Sequence, residues 1–310
     1  MLIATGLGAL QIVLDKGQRD DWFASSFIAW FTLISLCALI AFGFWEWNHK
    51  HPIVHLGLFK NRSFAVSCLL MLAFFSVLLG TTLLIPQFAQ VEMGYTAQKA
   101  GELLTPGGFA ILLFMPLVGF LVSRIDARYL IGVGFLVFAV SLFHMTNLYR
   151  AVDFHTLMIW RVYQMAGAAF LFVPVNTIAY TDMPPDASNQ VSALVNSMRN
   201  MGGSIGISAV TTILARRQQV HQGYLVRNTF QYNPHLQQIL NQLTNQFRAR
   251  SGTAHAIQQA YGQVYRGIQQ QASFLAYIDV LWILGGLSLL AVGLLFFAKK
   301  TKPGQAAMAH

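Results

Sequence analysis

Apolar residues gather in runs of membrane length, and short polar breaks separate them. The runs are Phe27–Phe44, Phe64–Phe88, Leu103–Val122, Tyr129–Leu148, Met158–Tyr180, Leu194–Leu214 and Phe274–Phe297. A helix needs roughly 20 such residues to cross the hydrocarbon core, so the pattern predicts an all-α polytopic membrane protein. Met1–Leu14 is equally apolar but shorter. It would cover about 21 Å of a core about 30 Å thick, so the chain reads as starting inside a span, as a piece of a longer protein would. Trp22 stands in the first polar break, and Trp45 and Trp47 form an aromatic belt where the next run ends.

The break between Val122 and Tyr129 holds Arg124, Asp126 and Arg128 in a turn too short for anything but an antiparallel pair of helices. Lys and Arg concentrate in cytoplasmic loops, so this turn is expected on the inside. Alternation then places the connector 48–63, the break 181–193 and the tail 299–310 inside as well. The short inside segments hold eight basic residues (Lys50, Lys60, Arg62, Arg124, Arg128, Lys299, Lys300, Lys302), against four in short outside loops (Lys16, Arg19, Lys99, Arg150). The long polar stretch 216–273 falls outside. Leu236, Ile239, Leu240, Leu243 and Phe247 recur at helical spacing there, as do Ile257, Ala260, Tyr261, Val264 and Ile268. Two amphipathic helices are expected, broken near Ala249–Thr253, as either a docking surface or a solvated cap.

Composition narrows the function classes. Of 310 residues, 55% are hydrophobic and 10% charged, against roughly 25% charged in soluble domains. The net charge of +9 is scattered at the ends of apolar runs, which fits orientation in a membrane and argues against a nucleic-acid partner. No phosphate loop, zinc-spaced Cys/His set or nucleophile elbow appears, so neither an enzyme nor a metal protein is expected. Cys37 and Cys68 lie inside apolar runs as small fillers. His49, His51 and His55 cluster on the inside connector, where a basic, pH-titrating loop accounts for them better than a metal site does. No basic leader with a cleavage site precedes the first run.

Ionisable residues inside spans carry most information, because each is costly there unless paired or in a wet cavity. Arg161, Arg199 and Asp279 are the three. Each lies within two turns of a span end and could snorkel to the interface. Asp279 has the shortest reach, which makes it the better candidate for a proton-titrating or substrate-facing carboxylate. Gln164, Asn176, Asn196 and Ser204 lie deeper, either bridging helices or lining a path. With Pro106–Gly108, Pro116 and Pro174 interrupting helices, the set suggests a central polar cavity.

Several stretches together resemble the fourteen-span drug:proton antiporters of the major facilitator superfamily (EmrB/QacA type). They are ALQIVLDKGQRDDWF (9–23), LFKNRSF (58–64), LIPQFAQVEMGYTAQKAGELLTPGG (84–108), GFLVSRIDARYLIGVG (119–134), RVYQMAG (161–167), MPPDASNQVSALVNSMRNMGGSIGIS (183–208) and FLAYIDVLW (274–282). The resemblance implies that 1–47 are two extra central helices, the first truncated, that 48–63 is a cytoplasmic connector, and that 64–298 is the C-terminal six-helix bundle with 216–273 as a periplasmic insertion. The N-terminal bundle would be absent. Gly119, Arg124, Asp126 and Arg128 would form the weaker second copy of the family's cytoplasmic latch. Ser123, Asp126 and Ala127 depart from the stronger first copy.

Asp279, Arg161, Gln164 and Asn176 would serve the substrate or proton path. Arg199, Gly202, Gly203 and Gly206 would serve packing at the inner gate. Met165 stands where the family has a Gly, which puts close helix contact there in question. The mechanism implied is alternating access, exporting lipophilic compounds across a bacterial inner membrane with no cofactor beyond the proton gradient. Membrane lipid, a lipophilic drug-like substrate and a periplasmic adaptor are the implied partners. The other reading is a truncated, non-transporting scaffold that pairs with a partner bundle or adaptor.

Overall fold

The computed structural model describes residues 1–48, 56–148, 152–181, 183, 187–227, 234–251 and 253–298. Among these the chain is helical, with no strand. The helices are α1 (Leu2–Lys16), α2 (Ser26–Asn48), α3 (Arg62–Val91), α4 (Ala97–Glu102), α5 (Thr105–Val122), α6 (Ala127–Met145), α7 (Phe154–Tyr180), α8 (Ser188–Arg227), α9 (Pro234–Ser251) and α10 (Thr253–Leu294). Short 3₁₀ turns lie at Trp22–Ala24, Leu56–Lys60 and Leu295–Phe297. His49, His51 and His55, together with the Lys-rich tail, lie outside the described residues.

Local signals explain several helix starts. The Asn61 side chain accepts from the Ser63 N–H at 3.0 Å, and Thr96 accepts from the Lys99 N–H at 3.3 Å. Each hydroxyl or amide oxygen satisfies a donor that the first helical turn leaves open. Thr96 starts α4 in what the apolar pattern left as a plain loop between spans. Gly94, at φ +69°, supplies the left-handed turn just before it.

Six helical segments among the described residues are long and apolar enough to cross a membrane: Ser26–Glu46, Arg62–Val91, Ala97–Val122, Ala127–Met145, Phe154–Tyr180 and His255–Phe297. The expected span Leu194–Leu214 is not among them, because Asn196, Arg199, Asn200 and a run of small residues dilute its apolar character. What α8 has instead is close contact. A methyl group on Gly206 would stand 2.1 Å from the Ser76 carbonyl oxygen of α3, and one on Gly202 would stand 2.5 Å from that of Leu72. Ser76 Oγ also donates to the Gly202 carbonyl at 2.7 Å. Small residues that let two backbones meet, joined by a hydroxyl bridge, hold helices together where lipid supplies no hydrophobic drive.

The chain divides into two compact units. One comprises Met1–Thr211 with Leu281 onward, and the other Thr212–Val280. In the first, α7 packs against α3, α5 and α6, and α1 packs against α2. Phe74, Phe135, Phe138, Ile131 and Leu171 are fully buried in it, while Phe109, Leu112, Leu113 and Phe120 of α5 face outward, as suits a lipid-facing helix. Gly107 of α5 meets Met165: a methyl at Gly107 would come within 2.7 Å of Met165 Cγ. The contact questioned at Met165 is therefore made, with the small residue on the facing helix.

The second unit holds the end of α8, all of α9 and the first part of α10. α9 ends at Ser251 and α10 begins at Thr253, both within the stretch Ala249–Thr253 where the spacing changes. One boundary differs. The second amphipathic segment and the last span form a single helix, Thr253–Leu294, since no Gly-Pro or turn-forming cluster interrupts Ser273–Phe274.

Candidate functional site

Arg161 is the chemical centre of the first unit. It lies two turns into α7 and is 2% exposed, so it does not snorkel to an interface. Its Nη1 donates to Gln164 Oε1 (2.5 Å) and Thr81 Oγ1 (3.2 Å), and its Nη2 to Thr82 Oγ1 (2.6 Å). Gln164 Nε2 closes the ring by donating to Thr81 Oγ1 at 3.0 Å. Gln164 and Thr81 are fully buried. Gly107 again makes room: a methyl there would stand 3.2 Å from Arg161 Cγ.

No carboxylate stands within ion-pair distance of Arg161 among the described residues, and its Nε has no hydrogen-bond partner there. The guanidinium is held entirely by neutral oxygens of α3 and α7. Taking a cation out of water costs several kcal/mol, which neutral acceptors offset only in part. Arg161 and Gln164 are thus brought together as expected, while Thr81 and Thr82 were missed. The signal for them was present, as a paired hydroxyl inside the apolar run of α3.

Asn176 does not join this group. Its Nδ2 donates back to the Phe172 carbonyl of its own helix at 2.7 Å. Asp279 belongs to the second unit, where its Oδ2 accepts from His221 Nε2 at 2.7 Å and lies 3.6 Å from Arg217 Nε. The Asp279 side chain is 30% exposed and His221 23%. Neither basic partner stood out in the sequence, where both are lost in a long polar stretch.

The turn before α6 is built around Asp126. This residue caps α6 by accepting from the Arg128 N–H at 3.1 Å, and it pairs with the Arg128 guanidinium at 3.0 Å. Arg128 Nη1 in turn donates to the Ala298 carbonyl at 3.0 Å, tying this turn to the end of the last helix. Arg124 stands apart, stacked over the Phe120 ring at 4.3 Å. Gly119 has no neighbour that a methyl would meet, so nothing in this unit requires a glycine there.

Arg199 of α8 lies over the Phe75 ring of α3 at 5.0 Å, one turn from the Gly202 contact. Gly203 faces the Leu79 side chain. Ser204 lines a cavity of about 140 Å³ between α1 and α8, with Gln11, Ser197 and Asn200 as its other polar walls. Asn196 is exposed, and Cys37 and Cys68 are free thiols. Among the described residues no group of His, Cys, Asp and Glu could hold a metal ion.

Membrane-length helices joined through small residues, with a sealed guanidinium in one and a charged turn between two others, define a multi-pass helical membrane protein. The chain belongs to the Major Facilitator Superfamily, whose model matches residues 2–207. It is 31% identical over 299 residues to the multidrug export protein EmrB of Escherichia coli (strain K12), an alignment covering 96% of this chain and 57% of that protein. It is 34% identical over 234 residues to the probable multidrug resistance protein EmrY of the same organism, covering 75% of this chain and 46% of that one. It is 34% identical over 245 residues to the fatty acid resistance protein FarB of Neisseria gonorrhoeae, covering 79% and 48%. The aligned part of the chain spans about half the length of these curated relatives.

Proposed function

We propose that the chain forms the C-terminal part of a proton-driven exporter of lipophilic compounds in a bacterial inner membrane, with its C-terminus cytoplasmic. The observation that carries this reading is similarity along 96% of the chain to a protein named for multidrug export. The structure supports it in physical terms. Two-state transport needs helices that move as rigid bodies and contacts that differ between states. The Arg161–Gln164–Thr81–Thr82 network fixes α7 to α3, and Gly202 and Gly206 lock α8 to α3. The partly buried Asp126–Arg128–Ala298 contact is the one that differs between states, since one guanidinium holds both the turn and the end of the last helix. It serves as the latch. Asp279 anchors the site through which this part senses protons, and no bound cofactor is needed. The second unit, with its Gln-rich helices, is the surface offered to a periplasmic adaptor. The chain acts as a transporter and has no catalytic role.

The test is drug tolerance. The chain is expressed in a bacterium stripped of its own exporters, both alone and together with the N-terminal bundle of a relative. Raised tolerance that a protonophore abolishes is the expected result in at least the paired case. Unchanged tolerance in both, with the protein verified in the membrane, would reject export.

A further inference from the structure

We infer that His221 and Asp279 form a single proton-loading site in which the proton arrives on His221 Nδ1 and Asp279 holds the ring to receive it. The geometry fixes the roles. An ionised carboxylate only accepts hydrogen bonds, so the nitrogen 2.7 Å from Asp279 Oδ2, Nε2, carries the hydrogen. That leaves the Nδ1 lone pair as the place where a proton binds. Imidazole is the side chain that changes charge between about pH 5 and 8, which is the range a proton-driven pump works in. A hydronium ion delivers the proton: one of its O–H bonds breaks, the Nδ1–H bond forms, a water molecule leaves, and the ring becomes a cation. Release returns it to water.

Arg217 sets the charge balance. Its Nε lies 3.6 Å from the same Asp279 oxygen. Among the described residues, Arg217 and His221 are the charged or titratable groups within ion-pair distance of Asp279, and both come from α8. Unloaded, Arg217 and Asp279 cancel and His221 is neutral. Loaded, the site carries one net positive charge, and His221 joins Arg217 as a second cation of α8 facing Asp279 of α10. The next residue on α8, Gln222, donates to Tyr265 of α10 at 3.2 Å, a second side-chain bond between the same two helices. A proton bound more tightly when the two helices are clamped shifts them toward the clamped state by that difference in affinity.

That protons reach this pair from outside the cell rests on the export reading above, and the chemistry of the pair does not rest on it.

The experiment has two arms that fail separately. In the first, the full chain is labelled with ¹⁵N-histidine in lipid nanodiscs, and His221→Gln identifies the ring's signals by their loss. The expected ring is in the Nε2–H form at pH 8 and is an imidazolium at pH 5, and Asp279→Asn erases the preference for Nε2–H. A ring that keeps one protonation form across that range, or a tautomer unmoved by Asp279→Asn, overturns the proposal whatever the chain transports.

In the second arm, the full chain in proteoliposomes under an imposed pH gradient exports rhodamine 6G. The wild-type rate should change several-fold between pH 6 and 8 on the proton-supplying side, and His221→Gln, which still donates to Asp279 but binds no proton, should be flat. A full pH profile in His221→Gln overturns the proposal. A wild-type chain that moves no dye counts against export by the lone chain, and the nitrogen spectra still decide the proton site.

Discussion

The two ionic centres of this chain are opposites. Arg161 is sealed among neutral oxygens with no acid in reach among the described residues, while Asp279 is partly exposed between two bases. A guanidinium stays charged at any physiological pH, so burying one without an acid gives a fixed charge and a rigid hydrogen-bonded hub. A carboxylate beside an imidazole gives the reverse, a site whose charge changes with one proton. A machine driven by protons needs both kinds of part, one that does not respond to pH and one that does. The contrast teaches where to look for each. The first belongs where three helices meet, the second where water arrives.

The comparison breaks first at Arg161. Arg161→Ala removes three hydrogen bonds and leaves Thr82 without its charged partner, and it opens a void beside Gly107. Bonds to a charged group are worth about 1.5–3 kcal/mol each in isolation, and they are not additive. Removal of the desolvated charge offsets part of the loss. A net destabilisation of about 3 kcal/mol is expected, seen as loss of folded protein in thermal unfolding in detergent. The loss should be the same at pH 5 and pH 8. A loss that depended on pH would mean that an acid pairs with Arg161 after all.

Thr82→Val comes next. It deletes one acceptor of the guanidinium while keeping shape, at a cost of about 2 kcal/mol. Thr81→Val should cost more than Thr82→Val, because Thr81 accepts from both Arg161 and Gln164 and is fully buried. Equal effects would mean that the ring closed by Gln164 contributes nothing beyond its separate bonds.

Much of this was legible in the sequence, and the rest was hidden for physical reasons. Apolar run length marks membrane helices well, because nothing else in a protein needs about 20 such residues together. It is weakest at α8, where Gly202 and Gly206 replace lipophilicity with backbone contact, and it missed the joining at α10, where an amphipathic segment and a span share one helix. Arg161 and Asp279 were visible because charge is rare in spans. Their partners were not. Thr81 and Thr82 are common helix residues whose role appears only when α7 is laid against α3. His221 and Arg217 lie 58 and 62 positions before Asp279, and no spacing rule joins residues across a returning helix. Arg161 was also expected within reach of an interface. Its helix starts at Phe154, four residues earlier than the apolar run suggested, which carries it deeper into the protein.

At the second centre the effects on stability shrink. Arg217 is about half exposed, so solvent screens its pairing with Asp279. Arg217→Ala is expected to change unfolding by no more than about 0.5 kcal/mol, and the change should vanish in 1 M salt, where the screening length is about 3 Å. Its effect should appear instead in the pH profile of transport, because the positive charge beside His221 is lost and loading becomes easier. A stability loss as large as that of Thr82→Val would place Arg217 with the structural centre.

The smallest effect is expected at Asp153, which shares Asp279's chemistry without its setting. The Thr156 hydroxyl donates to this carboxylate and holds it below its ordinary value of 3.8, and further small contributions come from backbone N–H groups and from His155. The group is fully exposed and lies in the loop just before α7. A carboxyl depressed in the folded state adds stability above its unfolded value and loses it as pH falls through the folded one. Thr156→Ala should therefore match wild type in strong acid and lie slightly below it from about pH 4 upward, with no change between pH 5 and 8. A loss that persisted into strong acid would mean that the Thr156 hydroxyl steadies the start of α7 without acting through the Asp153 carboxylate.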